Sequence, residues 1–249
     1  TRASKKTRAS KKTRASKKTR ASKKTRASKK TGASKKKRAS RSYRIQAAAF
    51  SGDGRVLATS AQKRVYLWDV TASRPKKLAS LRTTVDASRL AVDRSGERVA
   101  AAVAGFSEVR IRSAKGALLH EIRARGAVTC FAFAPDGRFV VGEVERIGED
   151  GLKARSYVSV YDLAAGDALP RELFRAAVVD LPLRDIAFSS DGLLLFLGVG
   201  GGVVVVFDLE ASRELFRFPD VDGNDIGQRI AAAFSFSQDG RRAAISWGD

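Results

Sequence analysis

Alternating apolar and polar positions run through most of the chain after residue 44, and they predict a succession of short β-strands. A strand that ends in phenylalanine is followed by one or two small residues, then by Asp-Gly and a second strand. The copies of this pattern, the second of them weaker, are Phe50–Gly54, Val92–Gly96, Phe133–Gly137, Phe188–Gly192 and Phe236–Gly240. Because glycine adopts a positive φ without steric cost, Asp-Gly between alternating runs predicts a tight hairpin turn.

The turns recur at a period that indicates a repeat architecture with four short strands in each unit. Successive glycines of the pattern are 42, 41, 55 and 48 residues apart. The predicted third strands are Val65–Asp69, Val109–Arg112, Val158–Asp162 and Val203–Asp208. The predicted fourth strands, which are more polar, are Lys77–Leu81, Leu118–Ile122, a segment around Leu173–Phe174, and Glu214–Phe218. An insertion at Glu143–Ser156 lengthens the third unit, and it forms either an extended hairpin or part of a partner-binding edge.

The repeat resembles the WD-repeat β-propeller family in its Phe-Ser-x-Asp-Gly turns and in the strand ends Trp68-Asp69, Tyr161-Asp162 and Phe207-Asp208. This resemblance implies an all-β propeller whose blades are four-stranded sheets around a central channel. The Gly-His that opens a typical repeat is absent from every unit, so the Asp–His–Ser–Trp network of that family is incomplete here. About four and a half blades are present in residues 43–249. The chain begins with threonine and its fifth unit stops after two strands, so we expect a fragment that continues beyond Asp249.

A strongly basic tail precedes the repeats. Residues 1–44 contain 21 lysines and arginines and no acidic residue, whereas the formal charge of the whole chain is +22. Residues 1–30 are five copies of TRASKK, and a sixth copy carries Gly32 in place of arginine. Since no large apolar side chain occurs before Tyr43, burial cannot offset the entropy of ordering this segment. The sequence therefore predicts a disordered domain at residues 1–42 and a propeller domain at residues 43–249.

The composition of the tail is typical of segments that bind polyanions. Cations placed near phosphates release condensed counterions, which gives affinity without sequence specificity. The cluster Lys35, Lys36, Lys37 and Arg38 also fits a nuclear import signal. Alternatively, the tail is the expansion of a short tandem repeat that has no selected role. We expect an intracellular protein, nuclear if the cluster is read as an import signal and cytoplasmic otherwise.

The residue inventory offers little chemistry. His120, the single histidine, is predicted to be solvated on an outer strand, and Cys130 is predicted to pack inside an inner strand. The glycines of Gly198–Gly202 precede a strand rather than a helix, so we predict a turn and no nucleotide site. The acidic segment Asp220–Asp225 departs from the EF-hand pattern, so a solvated loop is favoured over a calcium site. No enzyme, cofactor, metal site, small-molecule substrate or membrane attachment is predicted.

The family resemblance implies a protein-interaction scaffold within a larger assembly. The turns between second and third strands are predicted to bind the partner, through Gln62, Lys63 and Arg64 in the first unit and Phe106, Ser107 and Glu108 in the second. Phe106 is the strongest candidate, because an exposed aromatic side chain is a typical interface anchor. Two further hypotheses stay open. One is a nuclear or nucleolar factor that contacts RNA or chromatin through its tail, and the other is a propeller hydrolase with carboxylates in the channel.

Overall fold

The computed structural model describes residues 44–84, 86–147, 153–163, 169–179, 182–200, 203–218, 230–236 and 243–248. These residues form four antiparallel sheets of four strands and one of two strands. Blade one comprises β1 (Ala47–Phe50), β2 (Val56–Ala61), β3 (Arg64–Asp69) and β4 (Lys76–Arg82). Blade two comprises β5 (Arg89–Val92), β6 (Arg98–Ala102), β7 (Glu108–Ser113) and β8 (Leu118–Arg123).

The remaining strands follow the same order along the chain. Blade three comprises β9 (Ala127–Phe133), β10 (Phe139–Ile147), β11 (Lys153–Asp162) and β12 (Arg171–Val179). Blade four comprises β13 (Leu183–Phe188), β14 (Leu194–Val199), β15 (Val204–Asp208) and β16 (Arg213–Phe218), and it is followed by β17 (Ile230–Phe236) and β18 (Ala243–Gly248). The first strands of successive blades, β1, β5, β9, β13 and β17, contact one another in that order. This is the arrangement of propeller blades around an axis, and it confirms the predicted fold class.

The core lies between the blades, and the two-residue period of a strand decides which neighbour each side chain meets. On β10, Phe139 and Val141 pack toward blade two, while Val140 packs with residues of blade four. Middle strands are therefore apolar on both faces, which explains the continuous run Val203–Phe207. The glycine-rich segment before this run lies where β14, which ends at Val199, leads to β15, which begins at Val204, as the sequence predicts; residues 201–202 lie outside the described residues.

The repeated Ser-x-Asp-Gly sequence is a turn held by its own side chains. In blade one, the Ser51 hydroxyl donates to the Asp53 carboxylate at 2.6 Å and accepts from the Val56 N–H at 2.9 Å. The hydrogen bond from Ser51 holds the pKa of the Asp53 carboxyl below its usual value. Gly54 closes the turn with φ of +72°. Blade four repeats these bonds. In blade two the residue types are exchanged: Asp93 stands at the position of Ser51 and Ser95 at the position of Asp53, and both Ser95 and the Arg98 N–H donate to Asp93.

The insertion of blade three is an extended hairpin, as one of the two sequence interpretations holds. The strands β10 and β11 pair continuously from Phe139 opposite Tyr161 to Ile147 opposite Lys153. The first strand β9 pairs with only part of β10, and a bulge interrupts their register between Gly142 and Glu143. This hairpin therefore extends beyond the other strands of its blade at the end where the second strand turns into the third.

On the outer strand of blade two, the prediction that His120 is solvated is wrong. The histidine is buried, with 7% of its surface exposed, whereas Leu118 and Leu119 on the same strand are exposed. His120 lies opposite Ile111, and Ile122 follows two residues later in the core between blades two and three. His120 and Ile122 share the buried face of the strand, whereas a bulge between the pairs Ile111–His120 and Arg112–Leu118 takes Leu118 out of this alternation. Position in the strand, and not hydropathy, therefore sets burial here. Cys130 is buried on β9 as predicted.

Burial of His120 predicts a stability that depends on pH. Desolvation, with a smaller contribution from the charge of Arg98, holds the pKa of His120 below its usual value of 6.5. The unfolded chain then binds more protons than the folded one as the pH falls below about 6.5, so acid lowers the free energy of unfolding. Urea titrations between pH 8 and 5.5 should show this loss, and His120→Gln should flatten the profile. An identical slope in the variant would contradict the assignment.

Some sequence predictions lie outside the described residues. These are the basic tail at residues 1–42, including Lys35, Lys36, Lys37 and Arg38, and the acidic loop Asp220–Asp225. Within the described part of the chain, no helix has the length and apolar character needed to cross a membrane.

Candidate partner-binding site

The turns between second and third strands lie at the same end of the blades as the connections to the next blade, because each blade is an antiparallel meander. We call this end the upper face. In blades one and two it consists of Gln62–Lys63, Val103–Ser107 and Ala124–Gly126, together with the connection from β4 to β5. Hydrogen bonds join these segments: the Thr83 N–H donates to the Lys63 carbonyl at 2.9 Å.

The first predicted group forms a tight turn. Gln62 and Lys63 both have positive φ, of 53° and 56°, which is the geometry of a two-residue type I′ hairpin. The Lys63 N–H donates to the Asp86 carboxylate in the connection between blades one and two. Arg64 is the first residue of β3, and its guanidinium donates to the Ser80 hydroxyl at 3.1 Å. Gln62 and Lys63 are thus exposed, while Arg64 is partly occupied within its own sheet.

The second predicted group presents an exposed ring on a fixed backbone. The Phe106 side chain is 62% exposed. The backbone carbonyl of Phe106 accepts a hydrogen bond from the Val128 N–H of blade three at 2.8 Å, and the neighbouring Gly105 N–H donates to the Val128 carbonyl at 3.0 Å. Ser107 accepts from the Ala124 N–H at 2.7 Å. The turn is therefore attached to the next blade on both sides of Phe106, so little backbone entropy remains to be lost when a partner binds.

Phe106 borders a cavity of about 230 Å³ between blades one and two. Its floor consists of small or apolar side chains, and its other wall is polar. The lining residues are Thr83, Thr84, Ala87, Ala101, Ala102, Val103, Phe106, Glu108, Arg110 and Arg112. Such a concave apolar site with a few polar groups is typical of a binding site.

The polar wall is an ion-pair cluster. The Arg110 guanidinium pairs with Glu108 and lies 3.5 Å from the Glu121 carboxylate. It also donates to the Thr84 hydroxyl at 3.4 Å. Because these charges neutralise one another, the wall offers hydrogen-bonding groups without a strong net charge.

The structure brings Phe106 and Glu108 to one cavity and leaves the first predicted group beside it. Gln62, Lys63 and Arg64 do not line the cavity, although Asp86 connects Lys63 to the segment that does. Sequence reasoning missed the contributions of Thr83–Thr84 and Ala101–Val103. The run of small residues at 100–104 was the available signal, since alanine side chains leave space between two blades.

A second cavity, of about 360 Å³, lies at the opposite end of the blades. Its lining comes from first strands and Ser-x-Asp-Gly turns of several blades, and includes Gly52, Arg94, Phe133, Pro135 and Ser190. It is larger, but its walls are formed largely by turns that already satisfy their own hydrogen bonds. We therefore favour the upper face, where an exposed aromatic ring adjoins the cavity.

The two residues best suited to acid–base or nucleophilic chemistry are both withdrawn from solvent. Burial raises the pKa of the Cys130 thiol to about 12, so it is protonated at neutral pH. His120 is buried on the outer strand of blade two. Among the described residues, no three histidine, cysteine or acidic side chains are grouped as metal ligands would be.

Known protein families and structures resemble this chain in ways that agree with the propeller fold. The model of the WD domain, G-beta repeat, matches residues 35–69 and 116–151, and the first match ends at Trp68-Asp69. In the structure, the Trp68 indole N–H donates to the Thr59 hydroxyl at 2.9 Å. No curated protein matches the chain.

Solved propellers are similar in structure at low sequence identity. The β-propeller domain of Cps50 (Swd1) from Myceliophteria thermophila matches with a TM-score of 0.60 and 18% identity, over 82% of this chain and 62% of that one. Hydrazine synthase from Kuenenia stuttgartiensis matches with a TM-score of 0.62 and 16% identity, over 81% of this chain and 61% of that one. The chain thus spans about three fifths of the length of either structure. The chain thus has the β-propeller fold, and the two matches to the repeat model support its resemblance to the WD-repeat family.

Proposed function

We propose that this protein is a non-catalytic scaffold that binds a partner polypeptide on its upper face, in the cavity beside Phe106. The WD-repeat propeller fold suggests protein interaction as the general role. The observation that carries the specific proposal is the exposed ring of Phe106 on a turn whose backbone is hydrogen-bonded to blade three. A rigid aromatic anchor next to an apolar cavity is the arrangement found at binding hot spots.

The cavity suggests the chemistry of the partner segment. Its floor of alanines and Val103 fits an aliphatic side chain, and a volume of about 230 Å³ accommodates one or two such groups. Glu108 and Arg110 offer an acceptor and a donor at the rim. The partner segment therefore combines an apolar anchor with polar flanking groups, and the scaffold supplies the preformed surface.

Replacing Phe106 with alanine is expected to weaken peptide binding at least about thirtyfold, since hot-spot side chains contribute 2 kcal/mol or more. A peptide-display library selected against the full chain would supply the ligands, and calorimetry would measure their affinities. Phe50→Ala is the matched control, because Phe50 is 61% exposed on the opposite end of blade one and lies outside the cavity. Equal affinities for the wild type and the Phe106→Ala protein would contradict the proposal.

The charge of the tail favours a second candidate function, the binding of nucleic acid. Residues 1–44 hold 21 of the 48 lysines and arginines. Deletion of residues 1–42 should then abolish most nucleic-acid binding and, if Lys35, Lys36, Lys37 and Arg38 act as an import signal, nuclear accumulation. Retention of both by the shortened chain would show that the tail has neither role. Phe106→Ala should change neither property, which separates the two candidate functions.

A further inference from the structure

The outer strand of blade one differs in charge from the outer strands of the other blades. In blades two and four, the outer strand pairs its own charges: Arg123 with Glu121 at 2.8 Å, and Arg217 with Glu214 at 2.7 Å. In blade three, Arg171 pairs with Asp162 of the adjacent strand at 3.3 Å. Each of these three strands contains a glutamate, so that its arginines are at least partly neutralised.

The outer strand of blade one has much less of this neutralisation. The segment from Arg74 to Arg82 contains Lys76, Lys77 and both of these arginines, and no acidic residue. All four cations are exposed, and none forms an ion pair with another described residue. Asp69 lies opposite Lys76 in register; hydrogen bonds from Thr71, with a smaller contribution from the charge of Lys76, hold the pKa of its carboxyl below the usual value, so Lys76 is partly balanced and the other three cations are not.

The cations lie in a row at the edge of the sheet. The strand β4 has seven residues, so Lys76 and Arg82 are roughly 20 Å apart at about 3.3 Å per residue. Arg64 of β3 lies directly opposite Arg82, so a second, half-buried cation stands beside the upper end of the row. Arg74 extends it at the lower end. A linear polyanion that lies along the strand would thus contact Lys76 and Lys77 toward its lower end and Arg82 at its upper end.

We propose that the outer strand of blade one is a binding surface for the phosphate backbone of a nucleic acid, in addition to any contact that the tail makes. Opposite charge along a line of this length matches a phosphate backbone, which presents one charge every few ångströms. The segment Arg74–Arg82 contains no aromatic side chain, and Leu78 is its single large exposed apolar group. A membrane-binding surface would need more apolar side chains to insert, so the row of cations favours nucleic acid.

Lysine footprinting of the full chain tests this surface separately from the tail. Acetylation by a water-soluble ester, read out by mass spectrometry, is compared with and without a single-stranded 20-mer of oligouridine. Lys76 and Lys77 should lose reactivity when RNA is bound, while Lys153, which is exposed on blade three, should keep it. Unchanged reactivity of Lys76 and Lys77 at saturating RNA would overturn the proposal, even if the tail lysines are protected.

A charge-matched pair of variants gives the second measurement. The triple variant Lys76→Gln, Lys77→Gln, Arg82→Gln removes three cations from the strand, and Lys153→Gln, Arg184→Gln, Arg213→Gln removes three exposed cations from blades three and four. The first should reduce the slope of log affinity against log salt by about 2, at about 0.7 for each phosphate that is no longer neutralised. The second should leave the slope near the wild-type value. Equal changes in both variants would overturn the proposal.

Other polyanions define further outcomes. The first triple variant should retain wild-type binding to vesicles of phosphatidylcholine with phosphatidylserine and to a polyglutamate peptide, each measured at the same salt concentration. Loss of vesicle or peptide binding with unchanged RNA binding would reassign the surface and overturn the proposal. The peptide ligands of the upper face should bind both triple variants normally, so this test can fail without affecting the proposed scaffold.

Discussion

Replacing Arg175 with methionine is expected to lower the free energy of unfolding by about 3–5 kcal/mol, because it leaves a buried glutamate without its counter-charge. Arg175, on β12, is only 12% exposed, and the Glu143 carboxylate that it contacts at 2.6 Å is 1% exposed. The same guanidinium donates to Glu145 at 2.5 Å, and its central carbon lies 3.6 Å from the centre of the Tyr157 ring. In the Arg175→Met variant, Glu143 would keep only two uncharged hydrogen-bond donors, the Gly126 N–H at 2.8 Å and the Ser159 hydroxyl at 3.4 Å.

The double variant Glu143→Leu, Arg175→Met provides the decisive comparison. Replacing both members of a buried pair by apolar residues of similar volume is often nearly neutral, so the double variant should recover most of the lost stability. Arg123→Met is the exposed control: Arg123 also pairs with a glutamate, but its side chain is 79% exposed, and we expect a loss below about 1 kcal/mol. Urea unfolding measures all three. If Arg175→Met and Arg123→Met cost the same, the buried pair does not hold the extended hairpin to its blade.

Replacing Gly142 with alanine is expected to cost about 1–3 kcal/mol, because the new methyl group would overlap the core between blades three and four. A Cβ at this position would overlap Cδ2 of Leu183, and it would lie 2.7 Å from the Cys130 sulfur and 3.0 Å from Cδ1 of Ile186. All three neighbours are buried, so none can move aside without displacing others. Gly142 also lies at the bulge where β10 leaves its register with β9.

Gly200→Ala is the matched control for this prediction. A Cβ there would meet Pro182 at 3.5 Å, which is an ordinary van der Waals contact, so we expect a loss below about 0.5 kcal/mol. Shortening Leu183 should relieve part of the clash. The double variant Gly142→Ala, Leu183→Val should therefore lose less free energy of unfolding than the sum of the losses of the two single variants. Thermal or urea unfolding would show this. Additive losses would mean that the methyl group is accommodated in another way.

The sequence by itself determined the blade pattern of this protein. Strand alternation and the Ser-x-Asp-Gly turns are local: the side chains of Ser51 and Asp53 complete their hydrogen bonds within six residues, so the same turn forms wherever those residue types recur. For this reason the third strands agree with their predicted bounds to within a residue, except in blade three, where β11 begins earlier because the hairpin is extended. The exposed position of Phe106 in a turn followed from the same local pattern.

The packing of one blade on the next decided the remainder. Burial of an outer-strand residue depends on the face that meets the neighbouring blade and on bulges that change this face. His120 is therefore buried, while Leu118 and Leu119, beyond the bulge in the pairing of β7 with β8, are exposed. Glu143 is the first residue of the predicted insertion, and its pairing with Arg175 was not predicted; the bulge after Gly142 turns it toward that arginine. The cavity beside Phe106 exists only because small residues of blade two face the connection from blade one. These features join residues far apart in sequence, so only the tertiary structure could place them.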